Sequence, residues 1–127
     1  MAATAGWHNY KKMIVWQKAM DLTVDIYNVV KVLPVEERYA LSDQLRRAAV
    51  SVPSNIAEGF GRHTEKELKQ FLSIAKGSVY EVETQLLIGL RTGYFSENQI
   101  MKSLSLCNEE GKILTKMIED YHIPKSI

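Results

Sequence analysis

Residues 41–62 read Leu-Ser-Asp-Gln-Leu-Arg-Arg-Ala-Ala-Val-Ser-Val-Pro-Ser-Asn-Ile-Ala-Glu-Gly-Phe-Gly-Arg. At about 100° per residue, Leu41, Leu45, Ala49, Val52, Ile56 and Phe60 fall along one side of a helix. Gln44, Arg47, Ser51, Asn55, Glu58 and Arg62 make a polar stripe beside it, and Arg46, Val50 and Ala57 make a third side. Pro53 deletes the hydrogen bond to the carbonyl of Ala49, so a kink is predicted there. Ser51, Ser54 or Asn55 is placed to satisfy the freed carbonyl. A break into two helices near Val52 is the alternative, but the apolar stripe stays in phase through Ile56, which favours one helix. Gly59 and Gly61 predict its end.

The same period extends in both directions. Upstream, Val15, Ala19, Leu22, Ile26, Val29 and Leu33 make one stripe of a helix from Met13 to Lys31, and Pro34 stops it. Trp16, Met20, Thr23 and Tyr27 make a second apolar stripe, wider than one bundle core requires. Downstream, Thr64 and Glu67 have capping-box spacing and open a helix predicted over 65–91. Its core stripe is Leu68, Phe71, Leu72, Ala75, Val79, Val82, Leu86 and Leu90. Ile74, Gly77, Ser78, Glu81, Gln85 and Ile88 form a second stripe. Ser96 with Gln99 opens a fourth helix, whose apolar face is read as Ile100, Leu104, Cys107, Gly111, Leu114, Ile118 and Tyr121, and Pro124 marks its end. Residues 1–12 are read as an arm that orders only if Trp7 and Tyr10 dock. The expectation is therefore an all-α, up-down four-helix bundle over residues 13–127.

The totals narrow the function classes. A chain of 127 residues suits one domain. A net charge of +1 excludes coating of nucleic acid by bulk charge, so any such binding needs a local patch. The single cysteine, Cys107, rules out a disulfide framework within the chain and fits a reducing compartment. No charged start followed by an apolar run is seen, and no run is long enough to span a bilayer. A cytoplasmic protein with no membrane partner is expected.

Enzyme signatures fail on inspection. A diiron bundle needs two Glu-x-x-His pairs and two further glutamates, whereas this chain has one such pair, Glu119 with His122. Gly59-Phe60-Gly61 lacks the lysine and spacing of a phosphate loop. Cys107 lies on a core face, where an inert thiol is expected. No cofactor or metal is implied. Arg46, Arg47, Asn55, Glu58, Glu81 and Gln85 stand on shoulders of core stripes, where partial burial demands partners; they are read as a structural polar network within or between subunits. Arg46 and Arg47 also follow Asp43 at ion-pair spacing. Lys11, Lys12, Lys18, Arg46, Arg47, Arg62 and His63 are the candidate phosphate contacts.

Residues 44–59, Gln-Leu-Arg-Arg-Ala-Ala-Val-Ser-Val-Pro-Ser-Asn-Ile-Ala-Glu-Gly, closely resemble the signature of a bacterial four-helix-bundle family that includes proteins encoded by intervening sequences in large-subunit rRNA genes. Residues 15–19, 71–78 and 81–86 agree with it. The resemblance implies a bundle that assembles as a ring, typically a homopentamer. It also extends to the accessory variability determinant proteins of diversity-generating retroelements, a markedly basic branch that binds nucleic acid and a reverse transcriptase. The charge of this chain departs from that branch. The expected function is a non-enzymatic oligomer that binds RNA or DNA through repeated basic patches; a scaffold for an unidentified protein partner is the alternative.

Overall fold

The computed structural model describes residues 9–120, and among these the regular elements are all helical. Four long helices follow in order: α1 (Ile14–Val29), α2 (Asp43–Phe60), α3 (Glu65–Arg91) and α4 (Glu97–Asp120). Each packs on the next, and α4 closes back on α1. Side-chain pairs give the directions. Gln44 meets Gln85 and Ser51 meets Ser78, so α2 and α3 are antiparallel; Lys18 meets Glu109 and Asp25 meets Ser103, so α1 and α4 are antiparallel; and Thr23 meets the Ala49 carbonyl between α1 and α2. Gly111 of α4 lies against the Tyr80 ring of α3. Short connections between consecutive, packed helices make the bundle up-down-up-down.

Local chemistry explains the boundaries. Leu33, which precedes Pro34, is extended at φ −75° and ψ 143°, as the proline ring requires. Between Pro34 and α2 the chain makes a 3-10 turn (Val35–Glu37) and a wide π turn (Arg38–Ser42). The Glu37 carboxylate holds that turn by accepting the Leu41 N–H at 3.3 Å. The Thr64 hydroxyl caps α3 by accepting the Glu67 N–H at 3.1 Å. At α4 both halves of the capping box form: Gln99 N–H to Ser96 Oγ, and Ser96 N–H to Gln99 Oε1. Gly93, at φ +86°, reverses the chain after α3 in a conformation that L side chains avoid.

Helix α2 runs through Pro53 unbroken. The carbonyl that proline leaves without its usual donor meets one from outside the helix: Thr23 Oγ1 of α1 lies 3.0 Å from the Ala49 oxygen and 2.9 Å from the Ala19 oxygen, so its one hydrogen is shared between them. Ser51, Ser54 and Asn55, the donors expected from spacing, do not serve it. Asn55 instead donates to the Ser51 carbonyl at 2.8 Å.

The core follows the predicted stripes of the first three helices closely. Val15, Ala19, Leu22, Ile26, Leu45, Ala49, Val52, Ile56, Phe60, Leu68, Leu72, Ala75, Val79, Val82 and Leu86 are all buried. Phe71 and Leu90 are only half-buried. Helix α4 differs. Its buried face includes Ser103, Leu106 and Glu110, while Leu104 and Ile118 are half-buried, so the helix is turned from the purely apolar alignment. Asp25 explains part of this, because it accepts the hydroxyl hydrogen of buried Ser103. Residues 10–12 of the expected arm form a 3-10 turn, and Tyr10 sets its ring edge-on to Trp16 at 5.5 Å. Trp7, His8, Tyr121, His122 and Pro124 lie outside the described residues.

Candidate functional site

A polar seam runs between α2 and α3. The Ser51 and Ser78 hydroxyls lie 2.9 Å apart, and Asn55 Nδ2 donates to Ser51 Oγ at 2.8 Å. About two helical turns away, Gln85 Nε2 donates to Gln44 Oε1 at 3.4 Å. Ser78 and Gln85 are buried, so these bonds answer groups that cannot reach water. Gln85 Oε1 is buried without a hydrogen-bond partner among the described residues. Asn55 and Gln85 thus enter the seam, with Gln44, Ser51 and Ser78 from the stripes beside them.

The charged residues placed in the same expected network make local contacts. Arg46 Nη1 donates to Ser42 Oγ at 3.0 Å, and Arg47 pairs with Asp43 at 3.1 Å. Glu58 pairs with Arg62 at 2.8 Å, one turn along the exposed side of α2. Glu81 is exposed on α3. Exposed pairs at this spacing contribute about 0.3–0.5 kcal/mol.

The candidate cations divide between the two ends of the bundle. Because α1 and α2 are antiparallel, the start of α1 lies level with the end of α2, and the Tyr10–Lys12 turn packs against both. Lys11, Lys12, Arg62 and His63 therefore share one end, all at least partly exposed. The Arg62 guanidinium also sits 4.8 Å from the centre of the Phe71 ring, which orients it across the α2–α3 turn. Arg46 and Arg47 lie near the other end; fourteen residues of helix separate Arg46 from Phe60 at the end of α2, about 21 Å. Lys18 is half-buried on α1, 3.5 Å from Glu109 of α4.

Apolar side chains flank the seam. Met20, Val24 and Tyr27 on α1, Val50 on α2, and Ile74 and Ile88 on α3 are all exposed. Between α1 and α2, Tyr27, Val50, Ser54 and Asn55 line an open groove of about 570 Å³ together with the charged Asp43, Arg46 and Arg47.

Two groups in α4 carry unusual electrostatics. Burial pushes the Cys107 thiol up to about 12, and the Glu83 and Glu110 carboxylates add to the effect. A thiol held protonated is a poor nucleophile. Glu110 is 0% exposed and neither carboxyl oxygen has a hydrogen-bond partner among the described residues. Burial raises it to about 8, against the lowering influence of Lys18 and with some help from Glu109. The sequence reading missed Glu110. Its phase, three residues after Cys107 and four before Leu114, was the available signal. Among the described residues no cluster of His, Cys, Asp and Glu has metal-binding geometry. Among the described residues no helix is long and apolar enough to cross a membrane.

A family model described as 23S rRNA-intervening sequence protein matches residues 11–116. The chain is also similar to a protein of unknown function from the S23 ribosomal protein family of Bacteroides thetaiotaomicron, known from a crystal structure. The two share 28% identity and superimpose with a TM-score of 0.77, over 84% of this chain and 100% of the other. No curated protein matches.

Proposed function

The chain belongs to the 23S rRNA-intervening sequence protein family, and from that membership and its surface we propose that it works as a non-enzymatic homo-oligomer, a ring of five, that binds RNA or DNA in the cytoplasm. The observation that carries this reading is the gathering of Lys11, Lys12, Arg62 and His63 at one end of the bundle. One copy offers few cations, but a ring repeats them around a single opening. The exposed apolar residues beside the α2–α3 seam supply the contact between copies.

A scaffold for a protein partner is the second reading. It is favoured by the ion pairs of Lys18, Arg47 and Arg62, which reduce the charge free for phosphates. Anisotropy of labelled single-stranded and duplex RNA and DNA separates the two. Nucleic-acid binding should weaken steeply with salt and show little sequence preference. A Lys11/Lys12/Arg62 triple alanine variant should bind more weakly. No binding by the intact oligomer at low salt leaves the scaffold. Sedimentation at micromolar concentration tests the ring, and a species of monomer mass alone rejects it.

A further inference from the structure

At the opposite end of the bundle from Lys11 and Arg62, the α1–α2 connection folds over a small hollow. Lys31, Arg38 and Arg46 line it, with the buried Ser42 hydroxyl and an apolar floor that includes Leu33 and Pro34. No carboxylate lines it. Among the described residues none of the three cations is in an ion pair; Arg46 is held by Ser42 Oγ alone. The acids nearby are engaged elsewhere or face away. Glu37 accepts the Leu41 N–H, and Asp43 pairs with Arg47. Glu36 is exposed and does not line the hollow.

We propose that this hollow is a phosphate-binding site. Like charges on residues lining one concavity repel one another, and a bound anion reduces that cost. Two guanidinium groups present planar forks of N–H donors that match phosphate oxygens in pairs, and the lysine adds a point charge. The volume, about 240 Å³, falls below the roughly 300–1,000 Å³ usual for whole small-molecule ligands. It suits one phosphate group, free or projecting from a larger molecule. The site shares only Arg46 with the cations singled out from the sequence. It stands whether or not the other end of the bundle binds nucleic acid.

The test is calorimetric titration of the full chain with inorganic phosphate at constant ionic strength, set against chloride. A Lys31→Gln/Arg38→Gln variant alters two exposed side chains, and its melting curve verifies folding. Binding to the parent, weakened about tenfold or more in this variant, is expected, because each charge-assisted contact is among the stronger hydrogen bonds. A Lys102→Gln variant, which removes an exposed cation that does not line the hollow, should bind phosphate as the parent does. A short oligouridylate added in competition identifies the source: displacement of phosphate indicates a polynucleotide backbone, and no displacement indicates a small anion. Either outcome keeps the site. Absence of phosphate binding beyond chloride, or equal affinity in the Lys31→Gln/Arg38→Gln variant, overturns it. Oligonucleotide binding by the parent with no phosphate binding beyond chloride would reject the hollow and leave the nucleic-acid reading intact.

Discussion

Replacing Glu110 by glutamine should stabilise this protein near neutral pH and flatten its pH dependence. The carboxyl is fully buried in the bundle and neither oxygen finds a hydrogen-bond donor among the described residues. Burial raises it from an ordinary value of 4.5 to about 8. An acid with a raised value in the folded state binds more protons folded than unfolded between those two limits. Stability therefore falls as pH rises through that window, and levels off once the folded carboxyl has also ionised. At about 1.4 kcal/mol per unit, the cost of Glu110 at pH 7 is about 3 kcal/mol, and the full decline across the window is about 5 kcal/mol. Glutamine keeps the shape and stays neutral. Urea denaturation of parent and Glu110→Gln at one protein concentration, from about pH 5 to pH 9, measures the difference. The curves should converge at the acid end and separate by about 3 kcal/mol at neutrality. Lys18→Ala should move the midpoint of the parent's decline to higher pH, because the lysine opposes the upward shift. Parallel curves, or a variant less stable than the parent at neutral pH, would refute the claim that a charged carboxylate is penalised in this core.

Thr23→Val removes the hydroxyl that serves the Ala49 carbonyl beside Pro53; a loss of about 1–2 kcal/mol in chemical denaturation is expected, and no loss would show that water serves the carbonyl equally well. Gly89→Ala places a Cβ within 2.3 Å of the buried Phe95 ring. Overpacking of about 1–3 kcal/mol should exceed the roughly 1 kcal/mol gain in helix propensity, so the melting temperature should fall; a rise would mean that Phe95 moves freely.

Much of the architecture is written in local pattern. The apolar residues of α1, α2 and α3 recur at helical spacing, and the two capping sequences mark helix starts that the structure places at the same residues. Such signals are legible because they depend on neighbours three and four positions away. The stripes placed Asn55 and Gln85 where the polar seam forms, whereas Arg46, Arg47, Glu58 and Glu81, expected in the same network, make local contacts or face solvent. What pairs with what was decided by tertiary structure. Pro53 announces an unsatisfied carbonyl, but only the antiparallel placement of α1 brings Thr23 to it. Glu110 is an ordinary glutamate by composition; packing of the neighbouring helices strips its water and turns it into a neutral acid. Arg46, adjacent to Arg47 in sequence, joins Lys31 and Arg38 about one hollow only because the connection after Pro34 folds back over the start of α2. Periodicity reports which side of a helix is wet. Charge placement and burial depend on what the chain brings from far away to the other side.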